Sequence, residues 1–225
     1  MGISLFPEHG RDGDELPQRA DFAMYAAKRS GKNRIVEFSA DLGRSALERM
    51  TLEGELRRAI AEGEISIEYQ PEFDLENRTI VRFVALARWN HAQMGAVSPQ
   101  RFIPVAEESG LIIPLGASIM ERACRAAVGW QQDQGQAVPV AVNVSSVEFA
   151  QSSFVADVKE ILRRTGLEPR LLQIELTESA TLTGMDRAAT VMQDLKKMGV
   201  NLALDEPRHW ILLPELSAQA GVRCD

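Results

Sequence analysis

Cysteine is almost missing from this sequence. Only Cys124 and Cys224 occur, far apart and neither in a CxxC pair. A disulfide framework and a cysteine-bound zinc site are therefore not expected, and a reducing, cytoplasmic setting is. Basic charge is in deficit too: 25 Lys and Arg face 32 Asp and Glu, for a net charge of −7 and a pI of 5.2. A surface of that sign does not suit nucleic acid, although an acidic chain still takes a phosphate ligand where a metal ion inverts the local sign. Long apolar runs are lacking, and none approaches the ~20 residues of a membrane span. The opening "MGISLFPEHG" has no charged stretch leading into an apolar one, and Phe6 stands where N-myristoylation needs Ser or Thr. Neither a secretory signal nor N-myristoylation is expected. No internal repeat is visible.

What is present suffices for one large domain, or for one domain with a fragment: 225 residues, 45% of them hydrophobic. Residues 1–38 read as a compact unit. "ISLF" is strand-like, "PEHGRDGDELP" is turn-rich, and "QRADFAMYAAKRSGKNRIVEF" reads as a helix, a Gly-Lys-Asn turn and a strand. Phe22, Tyr25 and Ala26 would share the helix's apolar face. A segment of that length cannot bury a sufficient core alone. Residues 39–63 read as a linker helix, with Leu47, Met50, Leu52, Leu56 and Ile60 among charged residues.

From residue 64 strands and helices alternate. "ISIEYQPEFDL" and "TIVRFVALARW" read as strands, and residues 100–130 as helical. Then come "VPVAVNVSS" (strand), "FVADVKEILRRTG" (helix), "LLQIELTES" (strand), "MDRAATVMQDLKKMG" (helix) and "VNLALDE" (strand). This rhythm implies β/α units on a largely parallel sheet. The strands read as apolar nearly throughout, as strands covered on both faces do. Polar residues collect at their C-terminal ends: Asn143, Glu175 with Glu178, and Asp205 with Glu206. In a (β/α) barrel that rim carries the active site. Three oxygen donors there would suit Mg²⁺ or Mn²⁺, and paired divalent ions promote phosphodiester cleavage. The alternative is structural, since an acid at a strand end also serves as N-cap of the following helix.

Several stretches carry a family resemblance: "LRRAIAEGEISIEYQPEFDL", "FVALARWNH", "VSPQRFIPVAEESGLI", "VNVSS", "QIELTES" and "LALDE". In this order and near this spacing they resemble the EAL domain, over about residues 50–206. The resemblance implies an α/β fold, a modified (β/α) TIM-like barrel that hydrolyses cyclic di-GMP to the linear dinucleotide with Mg²⁺ or Mn²⁺. It implies that Gln70 contacts a guanine base and Arg88 a ligand phosphate. Asn143, Glu175 and Asp205 would bind metal, Glu178 would brace a loop over the site, and Glu206 stands where the family has a second Asp. "GISLFPEHG" and "ADFAMYAAKRSGKNR" resemble the last part of a GGDEF (diguanylate cyclase) domain, whose signature is not in the sequence. The implied organisation is a GGDEF fragment over 1–38, a linker helix over 39–63, a partial EAL barrel over 64–206 and a non-homologous tail over 207–225.

Two departures weigh on function. The family's name motif reads Val84-Ala85-Leu86, so its metal-binding Glu is a valine with no lone pair to donate. After Glu206 the pattern stops. Residues 208–220, back-translated with suitable codons and read one base later, give Gly-Thr-Gly-Tyr-Ser-Ser-Leu, which EAL domains show next. Trp210 followed by Ile211 forces the second Gly whatever the codon choice. A frameshift near Glu206–Pro207 is the expectation, leaving about five strands of an expected eight and an open, aggregation-prone or partner-rescued barrel. The resulting expectation is a degenerate, truncated EAL signalling protein without phosphodiesterase activity. The alternatives are a module that binds cyclic di-GMP through Gln70 and Arg88, or holds a protein partner, and a residual phosphodiesterase using Asn143, Glu175 and Asp205. Mg²⁺-dependent hydrolysis and binding without hydrolysis separate the three. No protein partner or oligomeric state is legible.

Overall fold

The computed structural model describes residues 1–29, 31, 33–74, 76, 78–135, 137–177 and 185–205. The chain divides into two compact units, Met1–Arg58 and Ala59–Asp225. In the first, β1 (Gly2–Ile3), α1 (Glu15–Arg29) and β2 (Val36–Glu37) form a parallel β-α-β turn, followed by α2 (Ala40–Glu62), within which the division falls. The strand read from "ISLF" is limited to Gly2–Ile3. Gly2 must be glycine: an added Cβ would lie 2.1 Å from the Ala20 carbonyl oxygen of α1. For the same reason α1 buries Ala23 and Ala27, one turn apart, while Tyr25 stays exposed. The expected Phe22–Tyr25–Ala26 face is thus shifted by a residue, because close strand approach selects alanine over aromatics. In α2, Leu52, Leu56 and Ala59 are buried whereas Leu47 and Met50 are exposed.

The second unit holds a six-stranded sheet of β3 (Ile65–Phe73), β4 (Ile80–His91), β5 (Gly95–Val97), β6 (Val140–Val144), β7 (Leu172–Thr177) and β8 (Asn201–Asp205). The strand order is β3-β4-β6-β7-β8, with β5 also paired to β4. β4, β6, β7 and β8 run parallel, as the β/α rhythm implies, whereas β3 and β5 run antiparallel to β4. The crossovers are α3 (Pro99–Ser109), α4 (Ile112–Gln134), the short α5 (Ser146–Phe149), α6 (Phe154–Thr165) and α7 (Met185–Lys197). Local chemistry sets their ends. Ser98 caps α3 by accepting from the Gln100 N–H, Pro99 follows at the first helical position, and Gly110 ends the helix in the left-handed region at φ 76°. α6 carries Phe154, Val158, Ile161 and Leu162 on one buried stripe and ends at Gly166, φ 76°.

The strands correct one expectation. They are not apolar on both faces. Val140, Val142, Val144, Leu172, Ile174 and Leu176 are buried, but Asn143 is exposed and Gln173 and Glu175 are half-buried. The alternation of period two makes one face a core and the other a polar surface. On the core side, Trp130 of α4 packs against Tyr69 and Phe83 with ring centroids 4.8 and 4.7 Å apart. Trp89 is fully buried against Phe102 of α3. Arg122 of α4 donates to the Ile65 carbonyl and so fixes the start of β3 to the helix layer. No helix of the described residues is long and apolar enough to cross a membrane.

Candidate ligand and metal site

Residues in register on neighbouring strands share a face, as do residues two apart on one strand. Gln70, Val84, Ala141, Gln173 and Asn201 make one row across β3, β4, β6, β7 and β8. Asn143, Glu175 and Ala203 make the next row on the same face. The structure therefore brings Asn143 and Glu175 side by side, and sets Val84 one row away. Asp205 pairs Thr177 at the end of β8; its side chain, and all of Glu178 and Glu206, lie outside the described residues. The helix-cap alternative does not hold for Asn143. The cap after β6 is Ser145, whose hydroxyl accepts from the Glu148 N–H while the Glu148 carboxylate accepts from the Ser145 N–H.

A hydrogen-bonded chain runs along this face. Gln173 Nε2 donates to Glu175 Oε1 at 3.1 Å. Gln173 Oε1 accepts from Arg82 Nη1, also at 3.1 Å. Arg82 Nε donates to Glu72 in an ion pair. Arg82 and Gln173 were not singled out in the sequence, yet the period-two rule finds both: each lies two residues before a site position, Val84 and Glu175.

Arg88 and Gln70 lie on the same face. Arg88 is four residues beyond Val84, and Gln70 is in register with Val84. That sets them about 14 Å apart along the strands. Arg88 Nε donates to Glu68 Oε2 at 2.7 Å, so a ligand phosphate reaching Arg88 competes with a carboxylate already in place. Gln70 is exposed.

The described donors do not fit a divalent ion. Asn143 and Glu175 supply two adjacent oxygen-bearing groups but one negative charge. Val84 supplies methyls, and Glu175 already accepts a hydrogen bond. Among the described residues no group of three or more His, Cys, Asp or Glu is placed to hold a metal.

Behind the sheet, the capping acid Glu148 is 6% exposed. Burial pushes its carboxyl up to about 7; the Ser145 backbone and hydroxyl bonds oppose the shift and the nearby Glu107 of α3 adds to it. Burial and, second, Glu108 raise Glu107 as well. Phe102 and Pro104 belong to the same helix as Glu107, α3, and Phe102 is buried. Burial pushes the Cys124 thiol up to about 12, so it stays a protonated, unreactive core group. Cys224 lies outside the described residues.

Comparison with known proteins bears on this arrangement. The family model "EAL domain" matches residues 53–207. The bifunctional diguanylate cyclase/cyclic di-GMP phosphodiesterase MucR of Pseudomonas aeruginosa is 34% identical over 92% of this chain, which spans 30% of MucR's own length. The structure of the PaMucR phosphodiesterase in complex with c-di-GMP shares 33% identity and a TM-score of 0.66, covering 68% of this chain and 62% of that one. A Vibrio cholerae LapD S helix-GGDEF-EAL structure, bound to c-di-GMP, is similar in fold over 97% of this chain and 53% of its own, with a TM-score of 0.66 and 15% identity.

Proposed function

The chain belongs to the EAL domain family, and from that premise we propose that it is a cyclic di-GMP signalling protein, derived from a phosphodiesterase and devoid of hydrolytic activity. One observation carries the loss of activity: the buried Val84 stands at the motif position, one row from Asn143 and Glu175. Hard cations take oxygen anions, and a side chain of methyls cannot replace a carboxylate. Binding of Mg²⁺ or Mn²⁺ by Asn143, Glu175 and Asp205 is impaired accordingly, and with it the activation of a water for phosphodiester attack. Glu178 is assigned to loop bracing and Glu206 to the place of a second Asp from the family motif alone; both lie outside the described residues. Incubating the purified chain with cyclic di-GMP and either ion is expected to yield no linear dinucleotide. Product whose formation a chelator abolishes overturns the reading.

A second reading, ligand capture without chemistry, is favoured by the placement of Gln70 and Arg88 on the same face as the Asn143–Glu175 pair. It requires the ligand phosphate to displace Glu68 from Arg88. Calorimetry with cyclic di-GMP is expected to register binding that Arg88→Ala weakens and Glu68→Gln strengthens. The opposite order for the two variants sinks this assignment of Arg88.

We assign residues 1–38 to the end of a GGDEF domain, supported by the β-α-β turn of Gly2–Glu37 and by the fold match to a GGDEF-EAL protein. We assign 39–63 to a linker helix and 64–206 to the EAL portion. Residues 207–225 are read as translated out of frame from Pro207 onward, where the family match also stops. Sequencing the gene tests this directly: codons 208–220 must spell the Gly-Thr-Gly-Tyr-Ser-Ser-Leu stretch one base over. The free thiol of Cys124 accords with a reducing cytoplasm.

A further inference from the structure

We propose that a guanidinium has taken the place of a metal ion in the charge balance of this site: Arg82, acting through Gln173, holds the Glu175 carboxylate and opposes metal binding even when a carboxylate is restored at position 84. The inference rests on the EAL reading of the polar face and names its occupant.

The geometry is specific. Arg82 lies two residues before Val84 on the same face of β4, and its side chain is 17% exposed. The planar fork engages two partners at once, Glu72 through Nε and Gln173 Oε1 through Nη1. β6 runs between β4 and β7, and the residue it presents in the row is Ala141, fully buried and too small to block the crossing. A guanidinium only donates, so Gln173 must offer it the amide oxygen and turn its NH₂ toward Glu175. The 3.1 Å bond from Nε2 to Glu175 Oε1 follows. An N–H therefore occupies an oxygen lone pair that a metal would need, and a permanent positive charge lies close behind it. Like charges so placed disfavour one another. The same arrangement explains how Val84 is tolerated: Glu175 is satisfied within the protein.

The test titrates Mn²⁺ alone into the full chain and into V84E, V84E/R82Q and V84E/R82K, by calorimetry and Mn²⁺ electron paramagnetic resonance. The wild type is expected to show no saturable Mn²⁺ binding and V84E only weak binding. V84E/R82Q is expected to bind about tenfold tighter than V84E or better, while V84E/R82K, which keeps the charge, stays with V84E. Thermal melts identify any variant that fails to fold. Should V84E/R82Q fail to fold, V84E/R82M, which also removes the charge while keeping an unbranched side chain on β4, is expected to bind more tightly than V84E. Equal affinity in V84E and V84E/R82Q, or equal gains from Gln and Lys at position 82, overturns the role of Arg82. Mn²⁺ binding and hydrolysis by the wild type would overturn instead the proposed function on which this inference rests, so the two failures are distinct.

Discussion

On the helix side of the sheet, Val140, Val142, Val144, Leu172, Ile174 and Leu176 are all 2% exposed or less. One residue away along the same strands, Asn143, Gln173 and Glu175 face the other way, as does Arg82 of the neighbouring β4, and all keep partial access to solvent. Backbone pairing is common to both faces, so the side chains alone make the difference. The apolar face gains from leaving water, at about 25 cal/mol per Å² of apolar surface buried. The polar face gains little from burial, and its groups are arranged in a relay, Glu72–Arg82–Gln173–Glu175. Stability is thus expected to reside on one side of the sheet and ligand chemistry on the other.

Substitutions that separate the faces test that division. Leu172→Ala, at a fully buried position of β7, is expected to lower unfolding free energy by about 2–5 kcal/mol, read from the urea midpoint. A loss well below 1 kcal/mol would mean the helix side is not a packed core. The next largest effect is in the helix layer. Glu148 has a folded-state pKa of about 7 against 4.5 for the free group. The folded chain holds this proton more tightly than the unfolded chain. Its contribution is therefore fully present below pH 4.5, is lost as pH rises through about 7, and stays lost above. At roughly 1.4 kcal/mol per pKa unit, Glu148→Gln should stabilise the protein by up to about 3 kcal/mol at pH 8 and change little at pH 4. Urea melts at the two pH values read the difference, and equal effects at both refute the assignment.

Gly116→Ala comes next. A Cβ at Gly116 of α4 would meet Glu148 Oε1 at 1.6 Å, and overpacking of this kind costs about 1–3 kcal/mol. The penalty should largely vanish in a Glu148→Ala background; a penalty that persists there would show that the two do not clash. Smallest is the polar face itself. Asn143→Ala, at an exposed position, should change stability by no more than about 0.5 kcal/mol. A larger loss would mean the polar face also carries the fold.

Much of the second unit was legible in the sequence. "VPVAVNVSS", "LLQIELTES" and "VNLALDE" became β6, β7 and β8, because short apolar runs closed by polar residues mark strands. The pairing directions of β3 and β5 were not legible, since an antiparallel partner leaves no trace in local composition. β5 itself, Gly95–Val97, is too short for a period to show. The polar face was misread as apolar because β6 offers a single polar residue, Asn143, beside the small Ala141. Asn143 and Glu175 were read as site residues from their place at strand ends. Arg82 and Gln173 do not stand out in the sequence, since the contact that joins them spans 91 positions; Glu148 is legible as the end of a Ser145–Glu148 capping box, but its burial against Gly116 is not.

The absence of a lone pair at Val84 holds in any fold, and so does the donor character of Asn143 and Glu175; the order of strands and helices likewise follows from local patterning. Tertiary structure alone decided that Asn143 and Glu175 stand in register, and that Arg82 reaches Gln173 91 positions away. It also decided that Glu148 presses against Gly116 of another helix. The physical reason is range. Propensity and periodicity act over a few residues, whereas register and burial emerge only when the whole sheet and its helices pack together.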